Sequence, residues 1–83
     1  MLIKVKVLYF AQARVASGKT SEEVSVPSGC SLNTLLAKVA ESHRGLGKMS
    51  SSLCLALNER VARREERLSA GDVVAFLPPV AGG

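Results

Sequence analysis

Residues 31–40, SLNTLLAKVA, carry the clearest structural pattern in the chain, and this pattern decides the fold. Apolar side chains recur at i, i+3, i+4, i+7 and i+8, which places them on one face of an α-helix. They are Leu32, Leu35, Leu36, Val39 and Ala40. Ser31 is a suitable N-cap, and Gly45 is predicted to end the helix. The stretch therefore predicts an amphipathic helix with one face turned toward a sheet.

Two segments before this helix have the pattern of β-strands. In residues 2–10, LIKVKVLYF, apolar residues alternate with lysines, which predicts a strand with one buried and one solvated face. Residues 21–29, SEEVSVPSG, repeat the alternation with Val24 and Val26 and end at Pro27 and Gly29. Both segments are predicted to belong to the sheet that the helix covers.

The segments after the helix complete the predicted sheet. Residues 44–52, RGLGKMSSS, are predicted to form a loop, and residues 53–58, LCLALN, a strand that ends in a turn. Residues 60–72, RVARREERLSAGD, fit either a short strand around Val61 or a helical turn before Gly71. In residues 72–77, DVVAFL, every residue after Asp72 is apolar, so both faces of the predicted strand are apolar. This is typical of a strand in the middle of a sheet.

The predicted fold class is α+β, with a mixed sheet of four to five strands and one main helix across one face. The first and last strands are the most apolar, so we expect them side by side at the centre. Residues 1–77 would form this domain, and residues 78–83 an extended C-terminal tail that ends in Gly-Gly.

Composition limits the functional classes. The 83 residues are 47% apolar and carry a formal charge of +4, which fits one small globular domain. The densest basic run, residues 58–67, lacks aromatic residues for base stacking and contains three glutamates. It is predicted to be a solvated surface, with contact to an acidic partner as the alternative, and nucleic acid is disfavoured.

Location and cysteine chemistry follow from similar arguments. No apolar stretch approaches the roughly 20 residues of a membrane span, and Lys4 and Lys6 interrupt any signal sequence. Cys30 and Cys54 match no metal or redox spacing. We therefore expect reduced thiols in a cytosolic protein.

The residue types needed for catalysis are scarce. His43 and Asp72 are the single histidine and the single aspartate, and both are expected to have structural roles. Glu22 and Glu23 point to opposite faces of a strand, which does not suit acid–base catalysis. We predict no catalytic residues and no metal site.

The tail is the remaining candidate for function. Pro78 and Pro79 would end the central strand and stiffen an extended exit. Beyond them, Gly82 and Gly83 have no side chains, so a chain end here could enter a narrow channel in another protein. A carboxylate on Gly83 would be a poor electrophile unless a partner activated it, for instance as an acyl-adenylate. The tail therefore suits chemistry that another protein carries out.

The complete pattern resembles the ubiquitin-like β-grasp family and, more narrowly, the small subunits of molybdopterin synthase. The resemblance rests on residues 7–18, on residues 57–62 with 68–72, and on the end GDVVAFLPPVAGG at residues 71–83. In residues 7–18, the residues that match the family are Tyr9-Phe10-Ala11 and Arg14. This segment corresponds to the first strand of the family and the turn that follows it. Ala81 departs from the serine or threonine that is frequent in that family.

The resemblance implies a sulfur carrier of molybdenum cofactor biosynthesis that is not an enzyme by itself. An activating enzyme of the ubiquitin-activating type would use ATP to adenylate Gly83, and a thiocarboxylate would follow. The tail, through Pro78, Pro79, Val80, Ala81 and Gly82, would then enter the large synthase subunit, in a complex of two small and two large subunits. No cofactor would be bound by the carrier itself.

Alternatives remain open at this stage. Sulfur carriers for thiamine synthesis or tRNA thiolation share the fold and the two glycines, and so do protein modifiers that are conjugated to lysine. A plain interaction domain with an inert tail is the third possibility. For the partner interface we expect Phe76, Leu77 and Pro79 on an apolar sheet face that the single helix leaves open. The alternative for Phe76 is a place in the core.

Overall fold

The fold is known from a computed structural model, which describes residues 1–79. The predictions for Val80, Ala81, Gly82 and Gly83 lie outside the described residues. The strands are β1 Leu2–Tyr9, β2 Ser21–Pro27, β3 Cys54–Leu57, β4 Arg60–Val61 and β5 Val73–Leu77. The α-helices are α1 Ala11–Ser17, α2 Leu32–Ser42 and α3 Arg44–Met49, and a short 3-10 helix covers Ser50–Ser52.

The five strands form one mixed sheet in the order β2-β1-β5-β3-β4. The first and last strands, β1 and β5, are parallel neighbours, whereas every other pair is antiparallel. The predicted α+β class and the predicted central pair of strands are thus confirmed. Because β1 and β5 run in the same direction, the end of β5 lies beside the end of β1.

Helix α2 packs its apolar stripe on the sheet as predicted. Leu32, Leu35, Leu36 and Val39 are buried in the same core cluster as residues of β1 and β5. Ser31 is the N-cap, since its side-chain oxygen accepts the backbone N–H of Thr34 at 3.2 Å. This arrangement satisfies one of the otherwise unpaired N–H groups in the first turn.

The predicted end of α2 at Gly45 is wrong. The helix ends at Ser42, and His43 leaves the helical conformation with φ −129° and ψ 95°. Gly45 lies inside α3 instead. An ideal Cβ on Gly45 would lie 3.2 Å from the Cβ of Ala16 in α1, so glycine permits the close approach of these two helices.

The prediction of a loop over residues 44–52 is also wrong, since this segment forms α3 and the 3-10 helix. Leu46 is fully buried, and Met49 packs against the core. A further helix, α1, occupies the region expected to be only a turn after the first strand. It ends at Gly18, whose φ of 74° is readily adopted by glycine.

The ambiguous segment from residue 60 contains the short strand rather than a helix. Strands β3 and β4 form a hairpin around Asn58 and Glu59, which have φ values of 51° and 71°. Both values are positive, as in the turns whose twist matches that of adjoining strands. Residues 62–72 then cross back to β5 without a helix.

Candidate functional site: the root of the C-terminal tail

The tail leaves the sheet from its central strand. β5 pairs with β1 on one side and with β3 on the other, and it ends at Leu77. Pro78 and Pro79 follow and are exposed. Proline has no backbone N–H, so neither residue can donate to a continued sheet ladder. We call residues 76–79 the tail root.

The backbone of the tail root is hydrogen-bonded to the residue that precedes α1. The N–H of Phe10 donates to the carbonyl of Phe76 at 3.2 Å. At the other end of the same strand pair, the N–H of Lys6 donates to the carbonyl of Asp72 at 2.9 Å. These two bonds bracket the contact between β1 and β5.

The expectation that Phe76 lies on an open face is wrong. Phe76 is 0% exposed and belongs to the core. Side chains alternate between the two faces of a strand, so Val74 and Phe76 lie on the helix-covered face. Leu77 lies on the opposite face and is half-buried. Phe76 therefore stabilises the fold, and of the residues expected at the interface only Leu77 and Pro79 are accessible.

The face without helices carries an apolar row that runs across four strands. Register pairs Leu8 with Ala75, Ala75 with Ala56, and Ala56 with Val61. Val61 is 76% exposed at the outer end of the row. Leu77 pairs with Cys54 beside it. We call Leu8, Cys54, Ala56, Val61, Ala75 and Leu77 the open-face patch. Its edge adjoins the tail root.

A polar cluster lies on the covered face near the same end of the sheet. The hydroxyl of Tyr9 donates a hydrogen bond to Oε2 of Glu22. Nε2 of His43 lies 2.9 Å from the same oxygen, and Nζ of Lys19 lies 3.3 Å from Oε1. Because an ionised carboxylate only accepts hydrogen bonds, all three neighbours donate to it.

These hydrogen bonds set the ionisation of the cluster. Partial burial of Glu22 raises its pKa, but the hydrogen bonds from Tyr9, His43 and Lys19 outweigh burial and hold the pKa below its ordinary value of 4.5. The pKa of Tyr9 is raised far above its ordinary value by burial and by the adjacent carboxylate. Glu22 is therefore a carboxylate and Tyr9 a neutral phenol at physiological pH.

Sequence reasoning missed this cluster, because its members are separated by 13 and 21 residues. One signal was present in the alternation of β2. Glu22, Val24 and Val26 share a face, and they pair with Val7, Val5 and Ile3 of β1. A single glutamate on an otherwise apolar face implies a buried partner for the charge.

Arg14, which matched the family pattern, lies beside the tail end of the sheet. It lines a shallow open concavity with Lys19 and Val15, between α1 and the start of β2. Val15 is 78% exposed. This surface is positively charged and partly apolar.

Nε2 of His43 bonds to Glu22, and Asp72 lies in the turn before β5. Asp72 accepts the N–H of Ser69 at 2.8 Å and Nδ2 of Asn58 at 3.1 Å, which shapes the turn before β5. Within residues 1–79, no group of three His, Cys, Asp or Glu side chains could hold a metal ion. Cys30 and Cys54 are free thiols. In the same part of the chain, no helix has the length and apolar character needed to cross a membrane.

Together, the five-stranded mixed sheet, the crossing helix and the tail leaving the central strand define a ubiquitin-like β-grasp protein. A ubiquitin from Caldiarchaeum subterraneum has this fold, with a TM-score of 0.67 at 17% identity over the whole of both chains. The model of the ThiS family matches residues 7–83, and the chain belongs to this family.

Curated relatives align over nearly their whole length. A molybdopterin synthase sulfur carrier subunit from Chlamydomonas reinhardtii is 32% identical, with 98% of this chain and 100% of the relative covered. A subunit of the same name from Mycobacterium tuberculosis is 37% identical, with 99% and 100% covered.

Two solved structures extend the comparison. A putative molybdopterin converting factor subunit 1 from Pyrococcus furiosus is 31% identical, with a TM-score of 0.82 and coverage of 94% of this chain and 99% of that one. A complex of subunits 1 and 2 of the molybdopterin-converting factor from Helicobacter pylori matches with a TM-score of 0.64 and 26% identity, over 98% and 100% of the chains.

Proposed function

We propose that this protein is the sulfur carrier subunit of molybdopterin synthase and that Gly83 carries the sulfur. The observation that supports this most directly is the exit of the chain from the central strand. β5 is held on both sides up to Leu77, and two exposed prolines then stop the ladder. A rigid domain thus presents a short C-terminal segment, and the relatives aligned over this segment are named sulfur carrier subunits.

The chemistry begins at the carboxylate of Gly83. An activating enzyme transfers AMP from ATP to one carboxylate oxygen and releases pyrophosphate. A donor of sulfide-level sulfur, such as hydrosulfide, then attacks the carbonyl carbon, the carbon–oxygen bond to AMP breaks, AMP leaves with that electron pair, and the thiocarboxylate forms. Activation is needed because an ionised carboxylate resists nucleophiles. ATP is used by that enzyme and is not a bound cofactor of the carrier.

The large synthase subunit is the second partner. We place it on the open-face patch, because an apolar surface that no helix covers is typical of a docking surface; within the patch Val61 is exposed, Ala56 is buried, and the other four residues are partly accessible. The patch adjoins the tail root, so a partner bound there receives the tail directly. The Helicobacter pylori structure is a complex of subunits 1 and 2 of the molybdopterin-converting factor, which supports pairing of a small with a large subunit.

Catalytic groups belong to the partners in this proposal. The carrier supplies a reactive thiocarboxylate, and the large subunit supplies the pocket in which sulfur passes to the pterin precursor. The working assembly contains two carriers and two large subunits and is cytosolic. Neither nucleic acid nor a membrane takes part.

Mass spectrometry tests the first step. The protein is incubated with activating enzyme, ATP and a sulfur donor, and its intact mass is measured. We expect the mass to increase by the difference between one sulfur and one oxygen atom, with fragmentation placing the change on Gly83. A Gly83-deleted protein is the matched control and should stay unmodified. Conjugates on lysines of other proteins, without the sulfur exchange, would contradict the proposal and favour a modifier.

A further inference from the structure

The Tyr9–Glu22–His43 cluster contacts the tail root through the ring of Tyr9. Tyr9 is 2% exposed and pairs in register with Phe76. The two rings meet edge to face, with centroids 5.6 Å apart and planes at 76°. The ring of His43 contacts Tyr9 in a similar way, at 6.0 Å and 81°. Phe76 thus packs against the ring of Tyr9, whose hydroxyl is hydrogen-bonded to Glu22.

The contact between Tyr9 and Phe76 lies where the hydrogen bonding between β1 and β5 ends. The bond from the Phe10 N–H to Phe76 is at the tail end of the β1–β5 pair, and Pro78 has no N–H to extend it. Ends of strands open more readily than their centres. On the other side Leu77 pairs with Cys54 of β3, so the side-chain packing next to this last bond contributes to how firmly the end of β5 is held on the side of β1.

We propose that Glu22 and His43 are positioning residues for the tail and act through Tyr9. They hold the Tyr9 hydroxyl, and the Tyr9 ring in turn holds Phe76. The end of β5 then stays paired, and the direction in which the chain leaves at Pro78 is fixed. This inference rests on the proposed function, in which the tail must reach two active sites.

A small change at the root has a large effect at the chain end. Six residues follow Leu77 in the sequence, and six residues can span up to roughly 20 Å, so a small rotation at the root can move the end by several ångströms. A misplacement of about 1 Å can already lower a rate by about 10²-fold. Holding the root reduces the number of tail directions that must be searched before the carboxylate reaches the reacting atoms.

Amide hydrogen exchange on the intact protein tests the structural part. Tyr9→Phe removes the hydroxyl and keeps the ring. We expect exchange of the Phe10 amide to accelerate relative to that of the Lys6 amide by about tenfold, the factor expected for one lost hydrogen bond. Glu22→Ala, which keeps Tyr9, should also raise the ratio of the Phe10 exchange rate to the Lys6 exchange rate.

Val26→Ala is the matched control. Val26 is fully buried on the same face of β2 as Glu22, but it pairs with Ile3, far from the tail. It should destabilise the whole fold and leave the ratio of Phe10 to Lys6 exchange unchanged. If the ratio of Phe10 to Lys6 exchange were no larger in Tyr9→Phe than in Val26→Ala, the proposal would be overturned.

Kinetics of thiocarboxylate formation test the positioning role. With Tyr9→Phe as the substrate of the activating enzyme, we expect kcat to fall several-fold and KM to stay within about twofold, because docking surfaces are retained. Val26→Ala should change neither value below its melting temperature. A faster Phe10 exchange with unchanged kcat would overturn the positioning role. If the parent protein formed no thiocarboxylate, the proposed function would fail, and the exchange ratio would still decide whether the cluster holds the tail root.

Discussion

At the scale of single residues, Phe76 and Leu77 show how one step along a strand changes a role. Phe76 is enclosed by the core and contacts the Tyr9 ring, whereas Leu77 lies on the open face next to Cys54. Residues 73–77 are apolar throughout, so the sequence could not assign either side chain to a face. The assignment needs the register with β1, which is a long-range property.

Alanine substitutions should separate these two roles. Phe76→Ala should lower the free energy of unfolding by about 3–5 kcal/mol, because it leaves a cavity in the core. Leu77→Ala should cost less than about 1.5 kcal/mol and should weaken binding to the large subunit. Urea denaturation and titration calorimetry measure the two effects. Equal destabilisation by both substitutions would show that the face assignment is wrong.

Glu22 makes stability depend on pH. Its pKa is held below 4.5 in the folded protein, so its hydrogen bonds contribute stability above the unfolded-state pKa. That contribution is lost as pH falls through the lowered folded-state pKa. The parent should therefore lose more of its free energy of unfolding than Glu22→Gln when the pH is lowered from neutral through the lowered folded-state pKa of Glu22. Parallel urea titrations check this, and equal losses in both proteins would contradict it.

At the scale of elements, the long periodic segments could be predicted and the short helices could not. The stripe of α2 repeats over three turns, and β1 alternates over eight residues, so each has a recognisable period. Helices α1 and α3 have seven and six residues, too few for a stripe to repeat. Two glycines in α3 further favoured a loop. Tertiary packing of Leu46 holds this helix in place despite its weak propensity.

The two glycines of α3 offer a matched test of the contact with α1. Gly47→Ala should raise the free energy of unfolding by about 0.5–1 kcal/mol, because alanine favours the helix and its Cβ has an ordinary 3.7 Å neighbour. Gly45→Ala introduces a 3.2 Å contact with Ala16 and should leave the protein about 1 kcal/mol less stable than Gly47→Ala. Thermal and urea denaturation would measure both. Equal gains would mean that the helices are not closely packed here.

At the scale of the whole molecule, the proposed function requires the domain to present the residues after β5 to other proteins. The central pairing of β1 with β5 could be predicted, because these two strands are the most apolar of the chain. The cluster that holds the tail root could not, since the strand pairing and the helix ends bring distant residues together. The open-face patch combines residues of four strands. It could not be predicted either, because it depends on the register between those strands.

The measurement that tests the central claim most directly is transfer of sulfur from purified thiocarboxylated protein to the pterin precursor in the presence of the large subunit. In the proposed function, the product molybdopterin carries a dithiolene group with two sulfur atoms, and each carrier brings one sulfur atom. We therefore predict that two thiocarboxylates are consumed for each molybdopterin formed. A variant with one alanine added after Gly83 should fold like the parent and give no product, because its Gly83 carbonyl is held in a peptide bond. Product formation at the parental rate by that variant, with the added alanine still present, would contradict the account.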